Sequence, residues 1–414
     1  MLDTLCKSLN LSNTNYDLNQ ITHVQSDEVD PLNIGVSSAS KEKVWRSVEQ
    51  LYKTGTQPAI TVCIRKRGKV LINRSIGHAH GNGPSDDKRM VKSLATADMP
   101  VCLYSASKAV TAILMHKLAE QGAVNLDDTV SYYLPEFNRK GKGNITLQQI
   151  LSHRGGIPAL PKNLELEEIF DEDHIWELLC NSKPITVDGS NLAYHAITGG
   201  FVFQRIIQKA MGVSIQEYLD QHIRQPMNMK HFTYGLPKDQ RENVASNYAT
   251  APNPPFPLSN VIKRALGASF PDAANLSNQP QWMDSCLPAA NLYGTAEEIS
   301  RFYQMLLNKG EWNGQQILQP ETVKRATTAG NKFTFDRTLM LPMRYSQGLM
   351  LGANPVGMWG ANTRNAFGHI GLINKMCWAD PDRELSAAIL TTGLALASHH
   401  IPYLMKLVHD VNKL

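Results

Sequence analysis

A chain of 414 residues, 42% hydrophobic and 19% charged, has the mix of an ordinary globular protein and the length for one large or two moderate domains. Its formal charge of +4 is spread along the sequence. The one basic cluster, Arg139-Lys140-Gly141-Lys142, is short enough for a solvated loop, so nucleic acid is not an expected partner.

The six cysteines show no Cys-x-x-Cys pair, and no His-Glu-x-x-His, P-loop or Gly-x-Gly-x-x-Gly occurs. The reading therefore expects no metal, no cofactor and no disulfide framework. The first residues hold an acid at Asp3 and no apolar run of signal-peptide length, and no segment reaches ~18 uninterrupted apolar residues. A soluble cytoplasmic protein without a membrane span is the expectation.

In chain order, residues 1–38 are polar, rich in Asn, Ser and Asp and without periodicity, an extension that is mobile or draped on the body. A helix follows with Val44, Trp45, Val48, Leu51 and Tyr52 on one face. Ala59 to Ile64 and Lys69 to Ile72, around a charged turn ending in Gly68, make a hairpin. Ser105 to Gln121 reads as a helix with Val110, Ile113, Leu114 and Leu118 as its stripe, stopped by Gly122.

Residues 145–285 are mainly helical with long loops. Ile197 to Ala210 and Ile215 to His222 are the clearest helices, and Ala251 to Leu287 is proline-rich. Beyond Asn291 a helix (Ala296 to Asn308) leads into a β-rich end. There Ala366 to Ala379 and Leu385 to Thr392 flank the turn Asp380 to Glu384, and a helix covers about 398–411. Strands at both ends with helices between them predict an α/β (α+β) fold: one antiparallel sheet flanked by helices, built from 39–144 and 286–414, with 145–285 as an inserted helical domain.

Ser-x-x-Lys on a helix sets a hydroxyl and an amine on one face, where a low dielectric lowers the amine pKa until it takes the serine proton. The pattern alone does not discriminate, since Ser38–Lys41, Ser40–Lys43, Ser85–Lys88 and Ser105–Lys108 all satisfy it. The first two open a surface helix, where a serine is explained as an N-cap. The third lies in a polar loop with nothing to desolvate its amine. Ser105 alone begins a strongly apolar helix, whose N–H groups favour a developing alkoxide.

Three segments taken together resemble the motifs of one family: Leu103-Tyr-Ser-Ala-Ser-Lys108, Gly189-Ser-Asn-Leu-Ala-Tyr194-His-Ala and Phe367-Gly-His369-Ile-Gly371-Leu372. That family is the β-lactamase-related serine hydrolases, which include class C β-lactamases, D-alanyl-D-alanine peptidases and esterases. Connecting segments resemble it in order over roughly residues 45–410, among them Ile145 to Pro158 and Tyr293 to Phe302.

The resemblance implies the β-lactamase/transpeptidase-like fold, with Ser105 as nucleophile and Lys108 and Tyr194 sharing the acid–base work. The N–H groups of Ser105 and Leu372 would form the oxyanion hole, with Gly371 leaving room for the acyl group and His369 beside it. His153, in Ser-His-Arg-Gly-Gly-Ile-Pro, is read as fixing a turn. Trp359 and Trp282 could line an acyl pocket, but buried aromatic packing is the preferred reading of each; Trp359 is nonetheless carried forward as a substrate-lining residue.

Two departures point toward esters. The family's Tyr-x-Asn reads Tyr194-His195-Ala196, which lacks the amide that holds a β-lactam side chain, and its Lys-Thr-Gly reads His-Ile-Gly, a weaker attraction for a carboxylate. Asn374 stands in a turn where many relatives carry Gly, and Asn is the residue best able to keep a positive φ there. The expected activity is hydrolysis of a small-molecule carboxylic ester through an acyl-serine. An acyltransferase, a β-lactamase or D-alanyl-D-alanine peptidase, and a non-catalytic scaffold are the alternatives. The sequence leaves the oligomeric state open.

Overall fold

The computed structural model describes residues 9–87, 89–161, 164–252, 268–328, 333–372, 374–396 and 398–414. From residue 9 onward the polar extension lies on the body, where β1 (Thr22–Val24) pairs antiparallel with Arg74–Ile76. Glu28 seats this segment through ion pairs to Lys41 and Arg74 at 2.8 Å each.

Helix α1 (Ser38–Tyr52) is capped by Ser37, whose hydroxyl accepts the Ser40 N–H, so Ser37 rather than Ser38 or Ser40 is the N-cap. The amines of the first two Ser-x-x-Lys matches are held by acids, Lys41 by Glu28 and Lys43 by Asp410 at 3.0 Å. Lys88 of the third match lies outside the described residues.

The hairpin β2 (Ala59–Lys66) and β3 (Lys69–His80) forms as its pattern predicts. Its turn is made by Arg67 and Gly68, both at positive φ (51° and 76°). Helix α2 (Ser107–Glu120) starts two residues later than the sequence suggests. Ser105 sits in a single 3-10 turn, Tyr104–Ala106, because Tyr104 carries the chain through a left-handed conformation (φ 48°). Residues 107–116 are all buried, so α2 is a central helix rather than one with a single apolar stripe. Helix α3 (Thr198–Met211) ends at Gly212 with φ 70°, and α4 (Ala296–Leu307) begins with a capping box between Thr295 and Glu298.

The C-terminal part supplies β4 (Met350–Leu351), β5 (Phe367–Gly371), β6 (Lys375–Asp380), β7 (Leu385–Thr391) and helix α5 (Ile401–Val411). The antiparallel sheet runs β1-β3-β2-β7-β6-β5-β4, with Ser93–Leu94 beside β3. β2 and β7 are neighbours, from Ile60↔Thr391 to Lys66↔Leu385, so the two ends of the chain build one sheet.

Both faces of that sheet are covered, and the side-chain period of two divides its residues between two cores. Cys63, Cys377, Ala388 and Leu390 join Ile299 and Phe302 of α4. Val62, Ile64, Met376, Trp378 and Ile389 join Val48 and Leu51 of α1 and Leu404 and Leu407 of α5. Each large aliphatic or aromatic side chain so buried contributes about 1.5–3 kcal/mol.

Trp359 belongs to the second core, which corrects its expected place at an acyl pocket. It is fully buried, stacks on Trp378 at 5.8 Å and 12°, and donates its indole N–H to the Met350 carbonyl at 3.2 Å. An indole packs well in a core once its N–H is satisfied. No helix among the described residues is long and apolar enough to cross a membrane.

Candidate active site

Ser105 is the only residue from 101 to 116 that keeps partial exposure. Its turn is wedged between α2 and the free edge of β5. On β5, β4 pairs with Phe367 and Gly368, so among the described residues no strand lies outside the Gly371 end. That end approaches the turn so closely that a Cβ on Gly371 would lie 2.0 Å from the Leu103 carbonyl oxygen. Glycine is therefore required at 371 for close approach of two backbones.

One turn along α2, Lys108 reaches back. Its Nζ donates to Ser105 Oγ at 3.1 Å and to the Ala289 carbonyl at 2.9 Å. Among the described residues no carboxylate offsets the ammonium, and burial pushes its pKa down to about 7. The amine lies 5.0 Å from the centre of the Tyr194 ring. Tyr194 is 3% exposed, and its phenol faces the Ser105 side chain closely enough for that contact to act on its pKa. Burial raises the phenol pKa above its usual value, the Ser105 contact lowers it and the charge of Asp336 raises it. The three distant segments of the sequence reading do meet around one hydroxyl.

Histidines wall the far side. The His369 ring lies 6.2 Å from that of Tyr194, and burial first, then the Lys108 charge, push its pKa down to about 3. Its Nδ1 meets the Ile370 carbonyl at 2.8 Å. A histidine here is neutral at pH 7, as expected from its place in His-Ile-Gly. His153 takes φ 58°, sets its ring 4.6 Å from that of Tyr194 at a tilt of 49° and accepts the His195 N–H through Nδ1 at 3.1 Å. It fixes a turn, as read, and also walls the site. A small cavity of about 30 Å³ lined by Lys108, His153 and His195 lies beside the amine.

Leu372 follows Gly371 with φ 38°, so among the described residues of this turn the left-handed one is Leu372 and not Asn374. The conformational reason given for Asn374 is corrected accordingly. Asn374 instead donates from Nδ2 to the Gly393 and Ala395 carbonyls at 3.1 and 2.9 Å and bonds His400 through Oδ1 at 3.0 Å. Trp282 is buried against Tyr104, ring centres 6.2 Å apart.

Sequence reasoning missed Asp336. It is fully buried, and its Oδ1 accepts the N–H of Tyr194 at 3.1 Å as well as those of Thr338 and Leu339 at 2.8 and 3.0 Å. The acid thus fixes the Tyr194 backbone from a hairpin 142 residues away. A local Asx-type turn was legible at Asp336; its reach to Tyr194 was not.

The model of the beta-lactamase family matches residues 46–406. The chain belongs to the beta-lactamase family. It is accordingly a serine hydrolase. The family fold is seen in the penicillin-binding protein homologue of Caulobacter crescentus, which is 25% identical, with a TM-score of 0.77 over 92% of this chain and 98% of that one. EstA of Arthrobacter nitroguajacolicus Rue61a is 24% identical, with a TM-score of 0.74 over 92% and 97%. Among curated relatives, "Esterase/beta-lactamase LipL" of Mycobacterium tuberculosis is 27% identical over 314 residues, 72% of this chain and 70% of that protein.

Proposed function

We propose that the protein hydrolyses carboxylic esters of small molecules through an acyl-enzyme on Ser105. The observation that carries this reading is the contact of Lys108 Nζ with Ser105 Oγ at 3.1 Å, with no counter-ion to Lys108 among the described residues. With a pKa of about 7 the amine is half neutral at pH 7, whereas the phenol of Tyr194 lies above its usual range. Lys108 is therefore the base and Tyr194 the proton donor.

The Ser105 proton passes to the Lys108 amine as Oγ attacks the ester carbonyl, and the carbonyl oxygen takes the negative charge against the N–H groups of Ser105 and Leu372. The tetrahedral intermediate collapses with loss of the alkoxide. Tyr194 protonates that oxygen and recovers its proton from the Lys108 ammonium. In the second half a water gives its proton to the neutral amine and attacks the acyl carbon, and Ser105 leaves with the proton returned.

Neutral His369 and the small Ala196 support esters over penicillins, because neither an ammonium for the drug carboxylate nor an amide for its side chain is supplied. The LipL relative's name carries esterase beside beta-lactamase, which supports ester hydrolysis without ranking it above the lactam reading. An alcohol acceptor in place of water would make the same acyl-enzyme an acyltransferase.

Purified protein is expected to turn over p-nitrophenyl acetate or butyrate faster than nitrocefin. Nitrocefin turnover above ester turnover would reverse the assignment. Consumption of ester that accelerates with added alcohol would show acyl transfer.

A further inference from the structure

Beneath the nucleophile turn lies a second buried lysine that the mechanism above does not use. Lys375, the first residue of β6, is fully buried and pairs across the turn with Gly371. Its Nζ donates to the Thr391 carbonyl at 2.6 Å and to Asn247 Oδ1 at 3.3 Å, and lies 5.0 Å from the centre of the Tyr104 ring. Asn247 Nδ2 in turn donates to Ser277 Oγ at 3.2 Å. That hydroxyl donates to the Ala274 carbonyl at 3.0 Å, which leaves it to accept from the Tyr104 hydroxyl at 2.5 Å.

The network closes on a single side chain. Tyr104 is gripped at its face by the ammonium and at its hydroxyl by Ser277, and it is the residue at φ 48° immediately before Ser105. A left-handed aromatic residue costs about 1–2 kcal/mol and persists only where its surroundings over-determine it. A buried ammonium without a carboxylate is also costly, and methionine of similar length would fill the space more cheaply. Burial lowers the Lys375 pKa only to about 8, so the charge survives at pH 7. Two costly features thus meet at one contact, and each explains the other. The cation on the ring face and the acceptor at its hydroxyl hold the conformation that aims Ser105.

We infer that Lys375 is a positioning residue: by clamping Tyr104 it sets the direction of the Ser105 hydroxyl and N–H toward the acyl carbonyl. This rests on the ester-hydrolase reading for its kinetic consequence, but not for its structural one.

The test therefore has two arms on wild type, Lys375→Met and Tyr104→Phe. In crystal structures, Lys375→Met is expected to release Tyr104 from positive φ or rotate its ring away from β6. An unchanged Tyr104 and Ser105 would overturn the inference whether or not the protein is an esterase. In steady-state kinetics on p-nitrophenyl butyrate, Lys375→Met is expected to lower kcat by roughly 10–100-fold with KM changed less than about twofold, and Tyr104→Phe by a smaller factor in the same pattern. Lys375→Arg is expected to recover part of the loss. Folded Lys375→Met with wild-type kcat would overturn the inference. If Lys375→Met does not fold, Tyr104→Phe decides, and an unchanged kcat together with an unchanged backbone conformation at position 104 would overturn the inference equally.

Discussion

Lys108 reaches the Ser105 hydroxyl at 3.1 Å while its second hydrogen bond goes to a neutral backbone carbonyl, that of Ala289 at 2.9 Å. A carboxylate in place of that carbonyl would hold the ammonium charged and remove the base. With only dipoles around it, burial decides, and the pKa falls to about 7.

The pH dependence of kcat/KM follows. Below about pH 7 the amine is protonated, and the rate is expected to fall roughly tenfold per pH unit on the acid side. A profile that stays flat down to pH 5 would remove Lys108 as the base.

The same burial makes Lys108 a stability cost. Its folded pKa of about 7 lies below the ordinary 10.5, so between them the unfolded chain holds a proton that the folded one has released, and stability rises with pH across that window. Lys108→Met is expected to lose roughly a thousandfold or more in kcat yet melt higher than wild type. The gap in melting temperature is expected to be widest at and below pH 7 and to close toward pH 10. A variant that melts lower at every pH contradicts this.

Gly371→Ala puts a methyl 2.0 Å from the Leu103 oxygen and forces the strand edge away from the nucleophile turn. The expected cost is about 1–3 kcal/mol in stability and roughly a hundredfold in kcat/KM. Urea melts and ester kinetics on the same sample check both numbers. Activity at the wild-type level would show that β5 has no part in the oxyanion site.

Asp336 offers a graded test of how Tyr194 is held. Asn keeps one oxygen for the three N–H groups that Asp336 Oδ1 now receives, and Ala keeps none. Asp336→Ala is expected to lose about 2–4 kcal/mol and most activity, with Asp336→Asn between it and wild type in both. Equal loss in the two variants would mean that charge, not the acceptor, is what matters.

Buried histidines make the fold acid-labile. His195 and His369 are pushed down to about 3 and His116 to about 4, all by burial. The unfolded chain takes up these protons near pH 6.5 and the folded one does not, so stability is lost as pH falls from 6.5 toward 4. The urea midpoint is expected to be clearly lower at pH 5 than at pH 7. An unchanged midpoint would mean that these rings protonate in the folded state.

What the sequence disclosed and what it hid follow a physical division. Ser105 stood out from three rival matches because its helix is apolar throughout, and burial of Lys108 is a consequence of that local pattern. Gly371 was legible through the family resemblance, which gave it the task of leaving room for the acyl group; the close approach of the Leu103 carbonyl came only with the fold. Lys375 and Asp336 were not: in a sequence each is one more charged residue, and only the tertiary fold puts one under Tyr104 and the other behind Tyr194. Trp359 misled for a related reason, since an aromatic beside a motif packs a core as readily as it lines a site. Leu372 takes a left-handed conformation that glycine or asparagine would have signalled, so side-chain preference pointed to Asn374, two residues too far along the chain.

The central claim is a covalent acyl-enzyme on one hydroxyl, and its most direct test is the site of attachment. The protein would be treated with a fluorophosphonate probe, its intact mass measured and the modified peptide sequenced. The account predicts one adduct per chain on Ser105, absent from a Ser105→Ala variant that melts like wild type. Modification at another residue, or equal labelling of Ser105→Ala, would contradict it.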